Sequence, residues 1–312
     1  MTAAGGREGG FAAPAWRLGG RLARPRGRPL LMGIVNLTGD SFYPSSRLPE
    51  PAAAIAAALR LAEEGADLLD LGPASSRPGA DPVPPAEEQR RLLPVLPELR
   101  RAVEIPLTVD TASAATARIA LDEGADGIND ITAATGDPEM LPLAAARGCG
   151  LVLMHMLGTP RTMQSDPRYD DVVAEVGAYL QERAAAAEAA GVAPERIAVD
   201  PGIGFGKRLE HNLALLARLA RFSAVPGRTA PPAQPAQPAR RPVLVGASRK
   251  RFIGDLTGAP VEERLPGSLA VLAAAHAAGV AVVRVHDVAA SRQFLDTLAA
   301  IEAAGESPAA GG

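Results

Sequence analysis

The sequence predicts a (β/α)8 barrel, an α/β fold in one domain, and three features support this prediction. Short and almost wholly apolar runs recur along the 312 residues, and such runs are typical of strands buried on both faces of a parallel sheet. Helical stretches separate the runs, and several end in a glycine just before the next strand. Polar residues follow the apolar runs, as in α/β enzymes whose sites lie at the carboxyl ends of the strands.

Eight strands can be counted, which favours a closed barrel over an open doubly wound sheet. Their predicted bounds are 30–35, 68–71, 107–110, 127–129, 151–155, 197–200, 243–246 and 282–285. Predicted helices between them include residues 51–64 and 172–190. The phrase Glu-Gly-Ala-Asp precedes two of the strands, at 64–67 and 123–126, which indicates repeated αβ units.

The barrel is predicted to occupy residues 29–304. Residues 1–28 are rich in Gly, Ala and Arg and are predicted to be a disordered arm, in which Trp16 and Leu18 could pack locally. Residues 305–312 are predicted to be a disordered tail. Residues 223–240 contain a proline-rich run that suits neither a helix nor a central strand. We therefore expect a flexible insertion there, before the seventh strand and on the face away from the site.

Composition argues against several classes of protein. The net charge of −3 provides no broad basic surface for nucleic acid. No apolar run reaches the roughly 20 residues of a membrane span. Cys149 is the only cysteine, so no internal disulfide is possible, and the amino-terminal residues lack the apolar centre of a signal peptide. Together these features predict a cytoplasmic protein that acts on small molecules.

Lysine is scarce, since only Lys207 and Lys250 occur among 32 basic residues. A codon bias toward arginine explains the scarcity, but it does not explain where the two lysines lie. Each follows a predicted strand in a loop that contains Gly or Ser. Because lysine is a compact point charge that arginine replaces poorly at some sites, we predict that at least Lys250 is functional.

Polar side chains gather where the predicted strands end. They are Asn36, Ser76, Arg77, Asp110, Asn129, Asp200, Lys250, Arg284 and His286. A single Asp at a strand end is often a helix cap, and Arg77 alone could be a surface ion pair. The joint pattern instead suits a ligand with both a hydrogen-bonding ring and an anionic group. Asn36 is also a candidate weak ligand for Mg²⁺, which usually binds one or two protein oxygens plus substrate phosphates.

The remaining motifs do not match the spacing of common nucleotide-binding or zinc-binding sites. The run Gly202-Ile-Gly-Phe-Gly-Lys207 has neither P-loop nor dinucleotide-binding spacing, because Pro201 and Lys207 stand where glycines are required. No Cys/His cluster has zinc spacing. His155 is better explained as a hydrogen-bonded barrel residue than as a ligand, and His211 and His276 as structural or surface residues.

The chain resembles the dihydropteroate synthases of folate biosynthesis, a pterin-binding family, over about residues 30–300. Seven ordered motifs carry the resemblance, at 32–42, 75–79, 109–111, 128–130, 200–207, 246–250 and 284–287. The resemblance implies a barrel, usually dimeric, that joins 6-hydroxymethyl-7,8-dihydropterin diphosphate to 4-aminobenzoate and releases diphosphate. It implies Mg²⁺ as the cofactor and a homodimer as the assembly.

The resemblance also implies roles for individual residues. Pterin binding would fall to Asp110, Asn129, Asp200 and Lys250. Diphosphate binding would fall to Arg284 and His286, with Asn36 and Mg²⁺. Ser76 and Arg77 would belong to a mobile second loop near the aminobenzoate. The residues expected to carry catalysis are Lys250, Arg284, His286, Arg77 and Asp110. Lys207 lies in the glycine loop of the family, and we assign it no contact with the substrates.

Both loops that would close the site depart from the family pattern. Gly39 replaces a proline and Pro44 replaces an acidic residue in the first loop, and Pro73-Ala74 replaces Gly-Glu in the second. These changes leave open a non-catalytic or weakly active pterin-binding paralogue, or a regulatory partner. A pterin-dependent methyltransferase is a third reading, but the motifs at 75–79 and 248–250 favour the synthase, and no cobalamin-binding module is present.

Overall fold

The computed structural model describes residues 11–38, 51–229 and 238–306. Its strands are β1 (Trp16–Leu18), β2 (Arg21–Ala23), β3 (Leu30–Asn36), β4 (Leu68–Gly72), β5 (Leu107–Asp110), β6 (Gly127–Asp130), β7 (Gly150–Met154), β8 (Ile197–Asp200), β9 (Ala224–Thr229), β10 (Pro238–Arg240), β11 (Leu244–Val245) and β12 (Val282–Val285). Its helices are α1 (Pro51–Glu63), α2 (Pro85–Leu92), α3 (Leu96–Ala102), α4 (Ala114–Asp122), α5 (Met140–Arg147), α6 (Val172–Ala189), α7 (Leu209–Leu216), α8 (Arg251–Thr257), α9 (Leu265–Ala277) and α10 (Val288–Glu306).

The barrel predicted from the sequence is confirmed. Eight parallel strands pair in the order β11, β12, β3, β4, β5, β6, β7, β8. A bridge between Val199 and Val243 then joins the last strand to the first. Each of the eight predicted strands is present with ends within two residues of the prediction.

Strand alternation separates two apolar layers. Alternate residues of each barrel strand face the barrel interior, and those between them face the helices. In β4, for example, Leu69 and Leu71 belong to the large cluster that packs the strands against the helices. Leu68 instead joins Met32 and Val152 in a smaller cluster inside the barrel. The lower half of the barrel is thus filled with apolar side chains.

The amino-terminal segment closes the bottom of the barrel. Strands β1 and β2 form an antiparallel hairpin, and Trp16 and Leu18 are completely buried in the interior cluster. Trp16 Nε1 donates to the carbonyl of Arg196 at 2.8 Å. A Cβ added to Gly150 would lie 2.5 Å from Leu18 Cδ2, so the glycine leaves space for that leucine. The predicted disordered arm is therefore wrong for residues 11–28, because the apolar barrel floor needs a cover; residues 1–10 lie outside the described part.

The proline-rich segment begins and ends as a hairpin. Strands β9 and β10 pair antiparallel, an arrangement that tolerates proline because both strands have a free edge. Arg241 N donates to Ser223 O at 2.7 Å at its base, and Arg240 Nη1 donates to Ala12 O at 3.0 Å. The contact with the amino-terminal segment places the base of the hairpin at the bottom of the barrel. Residues 230–237 lie outside the described part.

Two further predictions fall partly outside the described residues. The first loop, with Gly39 and Pro44, and the tail from 307 onward are not described, whereas Pro73 and Ala74 are. No helix in the described ranges combines the length and the apolar character needed to cross a membrane.

Candidate functional site

Four of the predicted side chains meet inside the upper end of the barrel. Asp110 ends β5 and pairs in register with Asn129 of β6, Asp200 ends β8, and Arg284 lies in β12. The exposed fractions of Asp110, Asn129 and Asp200 are 8%, 4% and 5%. Because interior positions recur at every second residue, the strand ends alone bring these groups together. The arrangement is a ring of polar groups above an apolar floor.

Asp70 is a buried carboxylate at the centre of this ring that the sequence interpretation missed. It has no exposed surface and accepts hydrogen bonds from Arg284 Nε at 2.6 Å, Asn129 Nδ2 at 3.0 Å and Thr108 Oγ1 at 2.5 Å. The signal was available, since an Asp inside the apolar strand Leu-Leu-Asp-Leu at 68–71 needs buried partners. Asp70 therefore orients two of the predicted site residues.

Arg284 links the two carboxylates on this side of the barrel. Its Nη2 lies 3.3 Å from Asp110 Oδ2, in addition to the bond from Nε to Asp70. Burial lowers the pKa of Arg284, but Asp70 and Asp110 more than offset this, so that the pKa is raised overall. Its Nη1 atom has no hydrogen bond to any described residue and can donate to a ligand above it.

Burial raises the pKa values of the other site carboxylates toward neutrality. The pKa of Asp110 rises to about 7 through burial, against the opposing effect of Arg284. The pKa of Asp200 rises to about 6 through burial, opposed by the backbone N–H of Gly202, which donates to Asp200 Oδ1 at 2.7 Å, and by Lys250. A ligand that presents hydrogen-bond donors would favour the charged form of both groups.

Lys250 reaches into the same space from the loop after β11. Its ammonium group donates to the carbonyl of Ile203 and lies 4.0 Å from the centre of the Phe205 ring, a cation–π contact. Burial lowers its pKa to about 7, and Asp200 opposes this shift. The preceding Arg249 has a left-handed backbone, with φ of 54°, and its side chain pairs with Asp287 at 2.6 Å.

His286 lies at the rim with one side open to solvent. Ser248 Oγ is 3.0 Å from its Nδ1 and also accepts its backbone N–H at 3.3 Å. The hydroxyl can donate its own hydrogen to Nδ1 or accept from it, depending on the tautomer of the ring. Burial, then Arg284 and more weakly Arg249 and Arg77, lower the pKa of His286 to about 4 against the opposing effect of Asp287, so the ring is neutral at pH 7.

The remaining predicted residues line the outer mouth. Ser76 and Arg77 are half-buried in the loop between β4 and α2, and Asn36 is half-buried at the end of β3. A Cβ added to Gly72 would lie 3.8 Å from Asn36 Oδ1, so the amide stands beside a glycine with space around it. The described residues contain no cluster of three His, Cys, Asp or Glu side chains able to hold a metal ion.

Lys207 is buried close enough to Asp200 for their charges to interact, and its ammonium bonds to protein atoms. Its Nζ lies 2.9 Å from His155 Nδ1 and 2.9 Å from the carbonyl of Phe205. His155 is therefore hydrogen-bonded within the barrel, in agreement with its interpretation from the sequence.

The matching family model and similar curated proteins assign the chain to the same family. Residues 32–286 match the sequence model of the family described as pterin binding enzyme. The dihydropteroate synthase of Neisseria meningitidis serogroup B is 43% identical over 290 residues, 91% of this chain and 96% of that protein. The dihydropteroate synthase of Escherichia coli K12 is 40% identical over 275 residues, 88% and 91% of the two chains.

Solved structures agree in fold and sequence. The Xanthomonas albilineans dihydropteroate synthase with 4-aminobenzoic acid superposes with a TM-score of 0.81 at 42% identity, over 95% of this chain and 100% of that one. The Burkholderia cenocepacia dihydropteroate synthase complexed with 7,8-dihydropteroate gives 0.83 at 42% identity, over 95% and 99%.

Proposed function

We infer that this chain, which belongs to the pterin-binding enzymes and among them to the dihydropteroate synthases, uses the ring of buried polar groups as its active site. The reaction joins 6-hydroxymethyl-7,8-dihydropterin diphosphate to 4-aminobenzoate, giving 7,8-dihydropteroate and diphosphate. The observation that carries the assignment of the site is the convergence of Asp110, Asn129, Asp200, Lys250 and Arg284 at one end of a closed barrel.

The buried groups suit a flat ring with donors on one edge. Ionised Asp200 accepts paired hydrogen bonds from the amino group and ring N–H of the pterin. Asn129 and Asp110 face it across the barrel, and Lys250 donates to ring oxygen or nitrogen. Since water is largely excluded there, each charge-assisted bond is stronger than it would be at the surface. Ser76 and Arg77 stand further out, where the aminobenzoate would enter.

The diphosphate would occupy the rim beside Arg284 and His286. Arg284 Nη1 is able to donate to the anion, and the anion would favour protonation of His286, whose ring nitrogens are then both donors. Asn36 fits a Mg²⁺ site, because its side-chain oxygen has no hydrogen bond to any described residue and a divalent ion here would take its other ligands from phosphate and water. Bound Mg²⁺ would neutralise charge on the leaving diphosphate.

The reaction needs no covalent bond to the protein. The C–O bond to diphosphate breaks first, and its electron pair leaves with the diphosphate, whose charge Arg284 and His286 stabilise. The electron-rich pterin stabilises the exocyclic cation that remains. The amino nitrogen of 4-aminobenzoate attacks this carbon and then loses a proton. Exclusion of water protects the cation from hydrolysis.

Diphosphate release measured with and without 4-aminobenzoate tests this assignment. Release by the purified chain should require the amine, and Lys250→Ala should lower turnover about 10²-fold, as for loss of a preorganised electrostatic group. Arg251→Ala is the matched control, because that neighbouring side chain is 85% exposed. Pterin binding without turnover would favour the non-catalytic alternative instead.

We also propose the homodimer and the cytoplasmic location expected from the resemblance and the composition. The dimer is supported by the family's usual assembly, and light scattering on the purified chain measures it. Fractionation of the source cells measures the location.

A further inference from the structure

The second lysine is almost as enclosed as the core residues. Only 3% of Lys207 is exposed. Its ammonium group has three acceptors: the carbonyl of Phe205 at 2.9 Å, His155 Nδ1 at 2.9 Å and, more weakly, the carbonyl of His155 at 3.4 Å. An ammonium has three donors, so all three are used within the protein.

These acceptors lie on two neighbouring loops. His155 follows β7 and Phe205 lies in the loop after β8, and the two strands are paired. The glycine loop folds tightly against the first segment, since a Cβ on Gly202, whose φ is 67°, would lie 1.9 Å from the carbonyl of His155. Gly206 has the same constraint against Leu157, at 2.7 Å. The Gly-Ile-Gly-Phe-Gly-Lys run thus packs closely against the segment after β7, and its lysine bonds to a carbonyl of the same run.

The same loop supplies groups to the pterin pocket. The backbone N–H of Gly202 donates to Asp200 Oδ1 at 2.7 Å. The carbonyl of Ile203 accepts from Lys250, and the Phe205 ring lies 4.0 Å from the same ammonium. Any shift of the loop would therefore move the partners of both Asp200 and Lys250.

The charges around Asp200 are few and can be named. Lys207, Lys250 and Arg284 each favour its ionised form, while Asp110 and Asp70 lie beyond Arg284. On the other side of Lys207, burial and Lys207 itself lower the pKa of His155 to about 3, so this ring is a neutral acceptor. Burial lowers the pKa of Lys207 to about 7, and Asp200 opposes that shift.

We propose that Lys207 is a positioning residue for pterin binding: its ammonium fixes the glycine loop against His155 and supplies a positive charge near Asp200. This role rests on the proposed function, because it concerns the same pocket. It explains why lysine stands here in a chain with only two lysines among 32 basic residues, since the three acceptors converge on one point and a planar guanidinium cannot satisfy them.

Calorimetry with 6-carboxypterin between pH 5 and 9 tests the proposal on the purified full chain. Lys207→Met removes the charge and keeps the length of the side chain. Without that charge the ionised form of Asp200 is less favoured, so the acid midpoint of pterin binding should rise by about one pH unit from about 6, with about fivefold weaker affinity at pH 6. Arg208→Met is the control, because that adjacent side chain forms an exposed ion pair with Asp166 and should leave the midpoint unchanged.

A second pair of variants separates positioning from folding. His155→Gln keeps an acceptor for the ammonium, whereas His155→Leu removes it, so affinity for 6-carboxypterin should fall at least severalfold more in the leucine variant. Equal affinities in this pair would overturn the proposal, even if Lys207→Met does not fold. An unshifted acid midpoint in a folded Lys207→Met would also overturn it. Failure of the unaltered chain to bind the pterin would instead count against the proposed function.

Discussion

Asp70 illustrates at the residue scale how a fully buried side chain can hold a site together. Three donors converge on its fully buried carboxylate. In Asp70→Asn the new amide would face Arg284, which would keep its charge and lose the nearer of its two carboxylate partners. Removing one member of a buried ion pair costs about 3–5 kcal/mol, so urea denaturation should show a loss of this order.

The matched control for Asp70 is Asp296→Asn. Asp296 accepts from Arg28 and Arg292 at 2.8 Å, but its side chain is 48% exposed. An exposed ion pair contributes about 0–1 kcal/mol to the free energy of unfolding. If Asp70→Asn costs no more than this control, Asp70 is not the centre of the polar ring.

Asp200 gives a prediction about the pH dependence of stability. Burial raises its pKa from 3.8 to about 6, so between these values the folded chain binds more protons than the unfolded chain, and stability falls as pH rises. The loss of folding stability caused by ionising buried Asp200 is fully present above about pH 6. Without ligand, Asp200→Asn should therefore be more stable than the unaltered chain at pH 8, by about 1–3 kcal/mol, with the difference vanishing near pH 4.

Asp200→Asn should also weaken pterin binding by about 1–3 kcal/mol, because it removes charge-assisted hydrogen bonds. Denaturation at pH 4 and 8, together with calorimetry, measures both effects. A variant that is less stable at pH 8 would show that Lys207 and Lys250 stabilise the carboxylate more than burial penalises it. Unchanged pterin affinity would remove Asp200 from the binding site.

At the scale of elements, the β1–β2 hairpin is the part of the fold most dependent on one side chain. Trp16 is completely buried against the barrel floor and its indole N–H is bonded. Trp16→Ala should lower the free energy of unfolding by about 3–5 kcal/mol, as for other large core aromatic residues. Leu22→Ala in the same hairpin is the control, since Leu22 is 43% exposed. Equal losses in urea denaturation would mean that the hairpin does not seal the barrel.

At the scale of the whole molecule, the features that the sequence predicts are those with local signals. The apolar runs mark the strands, and a polar residue at each strand end marks the rim, because both are read within a few positions. The hairpin and the role of Asp70 depend instead on distant partners. Trp16 bonds to a residue 180 positions away, and Asp70 to one 214 positions away. No local pattern shows that the amino-terminal hairpin packs against the bottom of the barrel, or that Asp70 pairs with Arg284.

The last prediction concerns the closing of the mouth, to which every barrel strand contributes an end. The groups proposed to bind the pterin lie inside the barrel, but a cation formed there must be kept from water and stabilised. In the family the first loop carries an acidic residue, and here the sequence has Pro44, which lies outside the described residues.

A carboxylate near a forming cation stabilises the transition state more than the ground state. Pro44→Asp should therefore raise kcat while the affinity for pterin diphosphate stays nearly constant, because that affinity comes from groups inside the barrel and at its rim. Steady-state kinetics of diphosphate release measure both quantities, and Pro44→Asn separates the effect of charge from that of the flexibility gained when proline is removed. An equal rise in both variants would assign the effect to flexibility. A fall in kcat for Pro44→Asp would mean that the charge needed at the mouth is already supplied elsewhere, so that the altered loop no longer argues for a weakly active enzyme.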